Sequence, residues 1–319
     1  MLSRVADAFY WTGRYLERAE HTARLVDVNT YLSLDSTPES SGRHWHRVFD
    51  SLQVTMADGG TSDVVALVHQ LALDRGNKDS IASGIHAARE NLRQIREQIS
   101  VDLWERINRL YWTVRRTAED ASWQDQPHQF LRGVIEDCHQ FIGLTTATMN
   151  RGEGYYFLEL GRFLERAITY SALLDSHVRA FPDLRSGEVA PELVAEWTAL
   201  LRSCTALEAY TRRFTARMDA RRIADFLLLD PEFPRSIRFA VEQVEAALRG
   251  ITRLSGRENA GRPERLAGRL RASLHYAQLD ELVDDSLQMF LTGISGQCGE
   301  IHAATYRTFI GYHLDAALV

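Results

Sequence analysis

Residues 9–27 read FYWTGRYLERAEHTARLVD and residues 157–175 read FLELGRFLERAITYSALLD. At a constant offset of 148 they share Phe9/Phe157, Gly13/Gly161, Arg14/Arg162, Leu16/Leu164, Glu17/Glu165, Arg18/Arg166, Ala19/Ala167, Leu25/Leu173 and Asp27/Asp175. That is 9 identities in 19 positions, where average residue usage gives roughly one. Charged residues are among them, and a generic helical pattern does not fix those in place. The stretch therefore reads as one half of an internal duplication, built on a Gly-Arg-aromatic-Leu-Glu-Arg-Ala core. A second pair agrees: 71–81, LALDRGNKDSI, aligns with 227–237, LLLDPEFPRSI, at an offset of 156. A period of this size is far too long for a solenoid. It predicts two helical halves, 1–128 and 129–319, that face each other about a pseudo-twofold axis and together form one domain.

Working outward, helical periodicity fills nearly everything. Val5, Phe9, Thr12, Leu16, Ala19, Ala23 and Val26 recur at three- and four-residue steps, with Ser3 placed to cap the helix. The same spacing predicts helices over 44–56, 62–73, 79–98, 101–119, 129–150, 154–179, 191–217, 219–228, 234–254, 263–291 and 295–317. All seven prolines fall in or beside the intervening breaks, where helices tolerate them. No useful length alternates with period two, so the fold class is all-α, an internally duplicated helical bundle.

Composition narrows the function classes. With 319 residues, 45% of them hydrophobic, the chain can bury a large core. A net charge of −6 argues against a general nucleic-acid binder. Lysine occurs once, at Lys78, so arginine supplies 36 of the 37 basic residues. Codon bias accounts for such a skew, although arginine is also the better partner for carboxylate and phosphate. Cys138, Cys204 and Cys298 are far apart and form no CxxC pair, which fits buried thiols in a reducing cytosol. The first residues carry charges throughout rather than an apolar signal region, and no run approaches a membrane span. A cytoplasmic protein with no membrane or nucleic-acid partner is expected.

On a helix Arg14, Glu17, Arg18 and His21 share one face, and Arg162, Glu165 and Arg166 occupy the same face of the second copy. Gly13 and Gly161 each cost about 1 kcal/mol of helix stability relative to alanine, a loss usually offset by close helix–helix approach. If the two helices cross at these glycines, the Arg/Glu sets meet near the axis. One reading makes them ion pairs that fix the register of an interface. The other makes them a polar cleft for an anionic or zwitterionic ligand, with arginine forks for carboxylate or phosphate and glutamates for an ammonium group or a proton. Both stay open on residue types alone. Asp74, Asp230, Arg235 and Ser236 are secondary candidates, with the plain alternative that Asp230-Pro231 ends one helix and Pro234 begins the next.

The opening MLSRVADAFYWTGRYLERAEHTARL resembles the start of the bacterial alpha-E proteins, helical domains named for a Glu-Arg (ER) motif. ARENLRQIREQIS at 88–100, LWERIN at 103–108, MNRGEGYYFLELGRFLERA at 149–167 and FLLLDPEFPRSIRF at 226–239 extend the resemblance over essentially the whole chain. Tyr155–Tyr156 stand where a tryptophan is usual after Glu-Gly, and residues 75–78 replace a usual Asn-Pro turn. Neither departure touches the ER motifs. The resemblance implies a circularly permuted ATP-grasp partner, which would carry ATP and magnesium, with transglutaminase-like or proteasome-like hydrolases in the same pathway. It implies an accessory role in amide- or peptide-bond formation, with Arg14, Glu17, Arg18, Arg162, Glu165 and Arg166 binding a peptide-like or amino-acid substrate, and no cofactor on this chain.

Two other functions compete. As an enzyme in its own right, the chain has no Gly-x-Ser-x-Gly elbow and no recognisable Cys–His pair, which leaves Glu17 and Glu165 as an acid and base couple. Asp137-Cys138-His139 and His44-x-His46 lack metal-site spacing, so no metal centre is expected. As a pure scaffold, the ER faces would only hold the halves together.

Overall fold

A computed structural model of the chain describes residues 1–34, 36–57, 63–184, 187–214, 217–256, 261–282 and 285–311. Among these there are fourteen α-helices and no strand, apart from an isolated bridge between Glu188 and Asp219. They are α1 (Ser3–Leu34), α2 (Pro38–Leu52), α3 (Val64–Ala72), α4 (Ile81–Gln94), α5 (Val101–Glu119), α6 (Pro127–Thr148) and α7 (Glu153–Ala180). There follow α8 (Val194–Ser203), α9 (Leu207–Phe214), α10 (Ala220–Leu229), α11 (Ile237–Ser255), α12 (Gly261–Tyr276), α13 (Leu279–Leu282) and α14 (Asp285–Thr305).

The two longest helices carry the repeated phrase and form the axis of the bundle. Residues 19–23 of α1 and 163–167 of α7 are buried in unbroken runs, so these helices are enclosed on every side. A helix of 32 residues is roughly 48 Å long, enough to span the domain. α7 packs against α1, α2, α11 and α14, while α1 also takes α4, α6 and α8. Packing thus crosses the 128/129 boundary freely, since α6 lies on α1 and α5, and α2 lies on α7. The flanking helices are cut by local chemistry. Ser80 caps α4 by accepting from Ser83 N at 3.2 Å, and Ser236 caps α11 by accepting from Phe239 N at 3.0 Å.

Several boundaries differ from the sequence reading. α2 begins at Pro38 rather than near residue 44, because Thr37 accepts from Ser40 N and Pro38 takes a first-turn position where its missing N–H costs nothing. Ser3 lies inside α1, with its hydroxyl facing the Phe309 carbonyl at 3.5 Å instead of capping the helix. The expected helix over 191–217 is two, parted at Cys204–Ala206 where Thr205 takes φ +52°. Apolar spacing continues across that turn, so periodicity could not mark it. The expected helix over 263–291 divides into α12, α13 and the start of α14, and α14 runs unbroken past the boundary placed at 292–294. The break at 58–61 and the chain beyond 311 lie outside the described residues. No described helix is long and apolar enough to cross a membrane.

Candidate functional site

The α1–α7 crossing is made backbone to backbone. A Cβ on Gly13 would lie 2.1 Å from Leu158 O and 2.9 Å from Arg162 N; one on Gly161 would lie 2.0 Å from Tyr10 O and 3.2 Å from Arg14 N. The contact is reciprocal, because Tyr10 and Leu158, like Arg14 and Arg162, are partners at the offset of 148. Such closeness leaves no central cleft. The six ER residues instead divide between two sides of the crossing, which corrects the expectation of one shared site.

On one side, Glu165 accepts from Arg14 Nε at 2.5 Å and from Arg18 Nε at 2.6 Å, and Arg18 Nη1 reaches Asp79 Oδ1 at 2.6 Å. On the other, Arg166 forks onto Glu17 at 2.5 and 2.8 Å and donates a third bond to Pro234 O at 3.0 Å. Burial pushes the Glu165 carboxyl up, but Arg14 and Arg18 together outweigh it and hold its pKa below the ordinary carboxylate range. Glu17 and Glu165 are 5% and 2% exposed and clamped by guanidinium groups of the opposite helix. They line different cavities, so they cannot serve one reacting group as acid and base.

The cavity beside α6 has a volume of about 280 Å³ and an amphipathic lining that combines Leu16, Cys138 and Ile142 with Glu17, Glu20, Arg162, Arg166 and Arg235. Arg162 gives Nη2 to Glu159 at 2.6 Å, while among the described residues its buried Nε has no partner and Glu159 Oε1 is likewise unpaired. Burial lowers the Arg162 pKa and raises that of Glu159. Arg235 binds Glu20 at 3.0 and 3.1 Å and the Tyr170 hydroxyl at 2.7 Å. Glu20 also pairs with Arg24 and with His139. Burial opposes ionisation of Glu20, yet Arg235, His139 and Arg24 hold its pKa well below the usual value. Counting Arg24, Arg162, Arg166 and Arg235 against Glu17, Glu20 and Glu159, this side has one surplus cation.

The cavity beside α2 is also about 280 Å³ and is lined by Arg14, Arg18, Thr22, Lys78, Asp79 and Glu165 among others. Of the secondary candidates, only Arg235 reaches either cavity. Asp74 closes a turn through Gly76 N at 2.8 Å. Asp230 accepts from Glu232 N and Phe233 N at 2.9 and 2.7 Å and pairs with Arg213, and Ser236 is a helix cap. Those three are structural. Glu20 and His139 were missed as site residues. The Glu20/Arg24 spacing of four was visible, but nothing local linked it to Arg235, 215 residues away. Among the described residues no three His, Cys, Asp or Glu side chains are grouped to hold a metal ion. All three cysteines are buried free thiols.

His21 lies beside this network, fully buried against Tyr170, with neither ring nitrogen hydrogen-bonded among the described residues. Burial lowers its pKa to about 4, and likewise lowers that of His177 to about 3. Both rings are neutral in the fold, whereas the unfolded chain protonates them near the ordinary value of about 6.5. Their contribution is therefore complete above about pH 6.5 and is lost as pH falls, by up to ~1.4 kcal/mol per pH unit for each ring. Urea midpoints measured between pH 7 and pH 4.5 should decline steadily, and His177→Phe should flatten the decline. A flat wild-type profile would contradict this.

The model of a family described as a predicted alpha-helical domain with a conserved ER motif matches residues 1–310. Uncharacterized proteins of Mycobacterium bovis and Mycobacterium tuberculosis are each 22% identical over 334 aligned residues, covering 94% of this chain and 35% of the relative. The chain thus spans about a third of the length of these curated relatives. No solved structure matches it.

Proposed function

The chain belongs to the Alpha-E family, and from that premise we propose that it is a ligand-binding accessory module of an amide- or peptide-bond-forming system. In this reading a circularly permuted ATP-grasp protein is the partner and carries ATP and magnesium, while this chain holds a peptide-like or amino-acid substrate. The partner class comes from the family resemblance and the ligand class from the cavity beside α6. The observation that carries the ligand class is an amphipathic cavity of about 280 Å³ lined by Arg162, Arg166 and Arg235, with the Nε of Arg162 lacking a partner among the described residues. A carboxylate there would gain a charge-assisted bond from Arg162 with Arg235 nearby, and an apolar side chain would rest on Leu16 and Ile142. Direct catalysis by Glu17 and Glu165 is less well supported, because both carboxylates are already clamped by arginines.

The test has two arms. Co-elution with the ATP-grasp protein in the presence of ATP and magnesium is expected, and separate elution would remove the accessory role. Calorimetric titration with L-alanyl-L-glutamate should show binding by the wild type and at least tenfold weaker binding by Arg162→Gln. Equal affinity in the two proteins would remove the assigned site.

A further inference from the structure

We propose that the cavity beside α2 is a second, independent anion site, in which Lys78 and the outer guanidinium nitrogens of Arg14 and Arg18 hold one carboxylate or phosphoryl group. The groups that fix the two arginines occupy two of the three guanidinium nitrogens of each. Arg14 spends Nε on Glu165 and Nη1 on the Tyr10 hydroxyl at 3.4 Å; Arg18 spends Nε on Glu165 and Nη1 on Asp79. Nη2 of both has no partner among the described residues. The forks are thus held rigid with donors to spare, the arrangement that recognises an oxyanion at least entropic cost.

Lys78 completes the set. It is the single lysine of a chain in which every other basic residue is arginine, and it lines this cavity. It is exposed and makes no ion pair among the described residues. Its turn is tied down on both sides: Asn77 Nδ2 donates to Gln70 O at 2.9 Å, and Asp79 N donates to Asn77 Oδ1 at 3.0 Å. Arg14, Arg18 and Lys78 face Glu165 and Asp79, which leaves one positive charge uncompensated. Thr22, 1% exposed and without a hydrogen-bond partner among the described residues, also lines the cavity. Each cavity carries one surplus positive charge, but different residues supply it. Asp79 occupies the position that Arg235 takes at the offset of 156, so the two sides select different ligands.

A single lysine makes the test direct. Reductive ¹³C-methylation keeps the charge and labels one lysine side chain, with the α-amine as an internal control. Titration with sodium phosphate and, separately, sodium acetate should move the Lys78 methyl signal saturably at millimolar concentration, while chloride at matched ionic strength should not. The anion that saturates first distinguishes a phosphoryl from a carboxylate ligand, and either result supports the site. Lys78→Gln, a change at an exposed position, should bind the same anion at least tenfold more weakly by calorimetry, while Arg115→Gln, which lines neither cavity, binds it as the wild type does. A shift that follows ionic strength alone, or equal anion affinity in Lys78→Gln, would overturn the proposal. Neither outcome bears on the cavity beside α6.

Discussion

Glu165→Gln is expected to destabilise the protein by about 3–5 kcal/mol, because it strips the carboxylate from two guanidinium groups at once. Arg18 keeps Asp79, but Arg14 loses its only carboxylate and stays buried. Loss of one partner from a buried pair costs more than the pair contributes, since the remaining charge has no water to return to. Glu17→Gln should cost somewhat less, because Arg166 retains its bond to Pro234 O. Replacing both members of that pair, as Glu17→Leu with Arg166→Met, should recover much of the loss. The exposed pair Arg115–Glu119 sets the scale for comparison, and breaking it should change stability by less than ~1 kcal/mol. Urea unfolding of the four variants beside the wild type at pH 7 decides the matter. A Glu165→Gln variant within 1 kcal/mol of wild type would mean that water reaches Arg14 and that these pairs are not what sets the crossing.

That ranking explains what the sequence could and could not reveal. The ER faces were legible because helical spacing places Arg14, Glu17 and Arg18 together, and the offset places their counterparts on α7. The close crossing was legible because two glycines inside strong helices need a packing reason. Partner choice was not legible. Glu165 draws both arginines from α1, Glu17 draws only Arg166, and Arg162 turns to Glu159 on its own helix. These choices depend on which side of the crossing each fork emerges, a tertiary fact. The residues that distinguish the two cavities, Glu20 and His139 on one side and Lys78 and Asp79 on the other, are not among the positions identical in the two copies. The start of α2 is a different case. Thr37-Pro38 is a helix-start signal in plain view, and reading it as a break gave undue weight to the proline. Thr205 gave no signal at all, since a left-handed threonine is not announced by glycine or asparagine.

The same crossing predicts that Gly161→Ala and Gly13→Ala will each destabilise the fold, against helix propensity. Alanine in a helix interior is worth about 1 kcal/mol over glycine, and Gly133→Ala in α6, where nothing lies within 4 Å of the new Cβ, should show that gain. At Gly161 the added carbon would fall 2.0 Å from a backbone carbonyl, which no rotamer can relieve. The helices must separate by about an ångström, and overpacking of this kind costs about 1–3 kcal/mol or more. Separation also stretches the bonds from Arg14 to Glu165 and from Arg166 to Glu17, both 2.5 Å long, so the loss should reach or exceed the upper figure. The two substitutions press on one contact. Once either has moved the helices apart, the other meets less resistance, so the double variant should lose clearly less than the sum of the two single losses. Additive losses would mean two separate contacts, and the reciprocal crossing that divides the ER residues between two cavities would have to be abandoned.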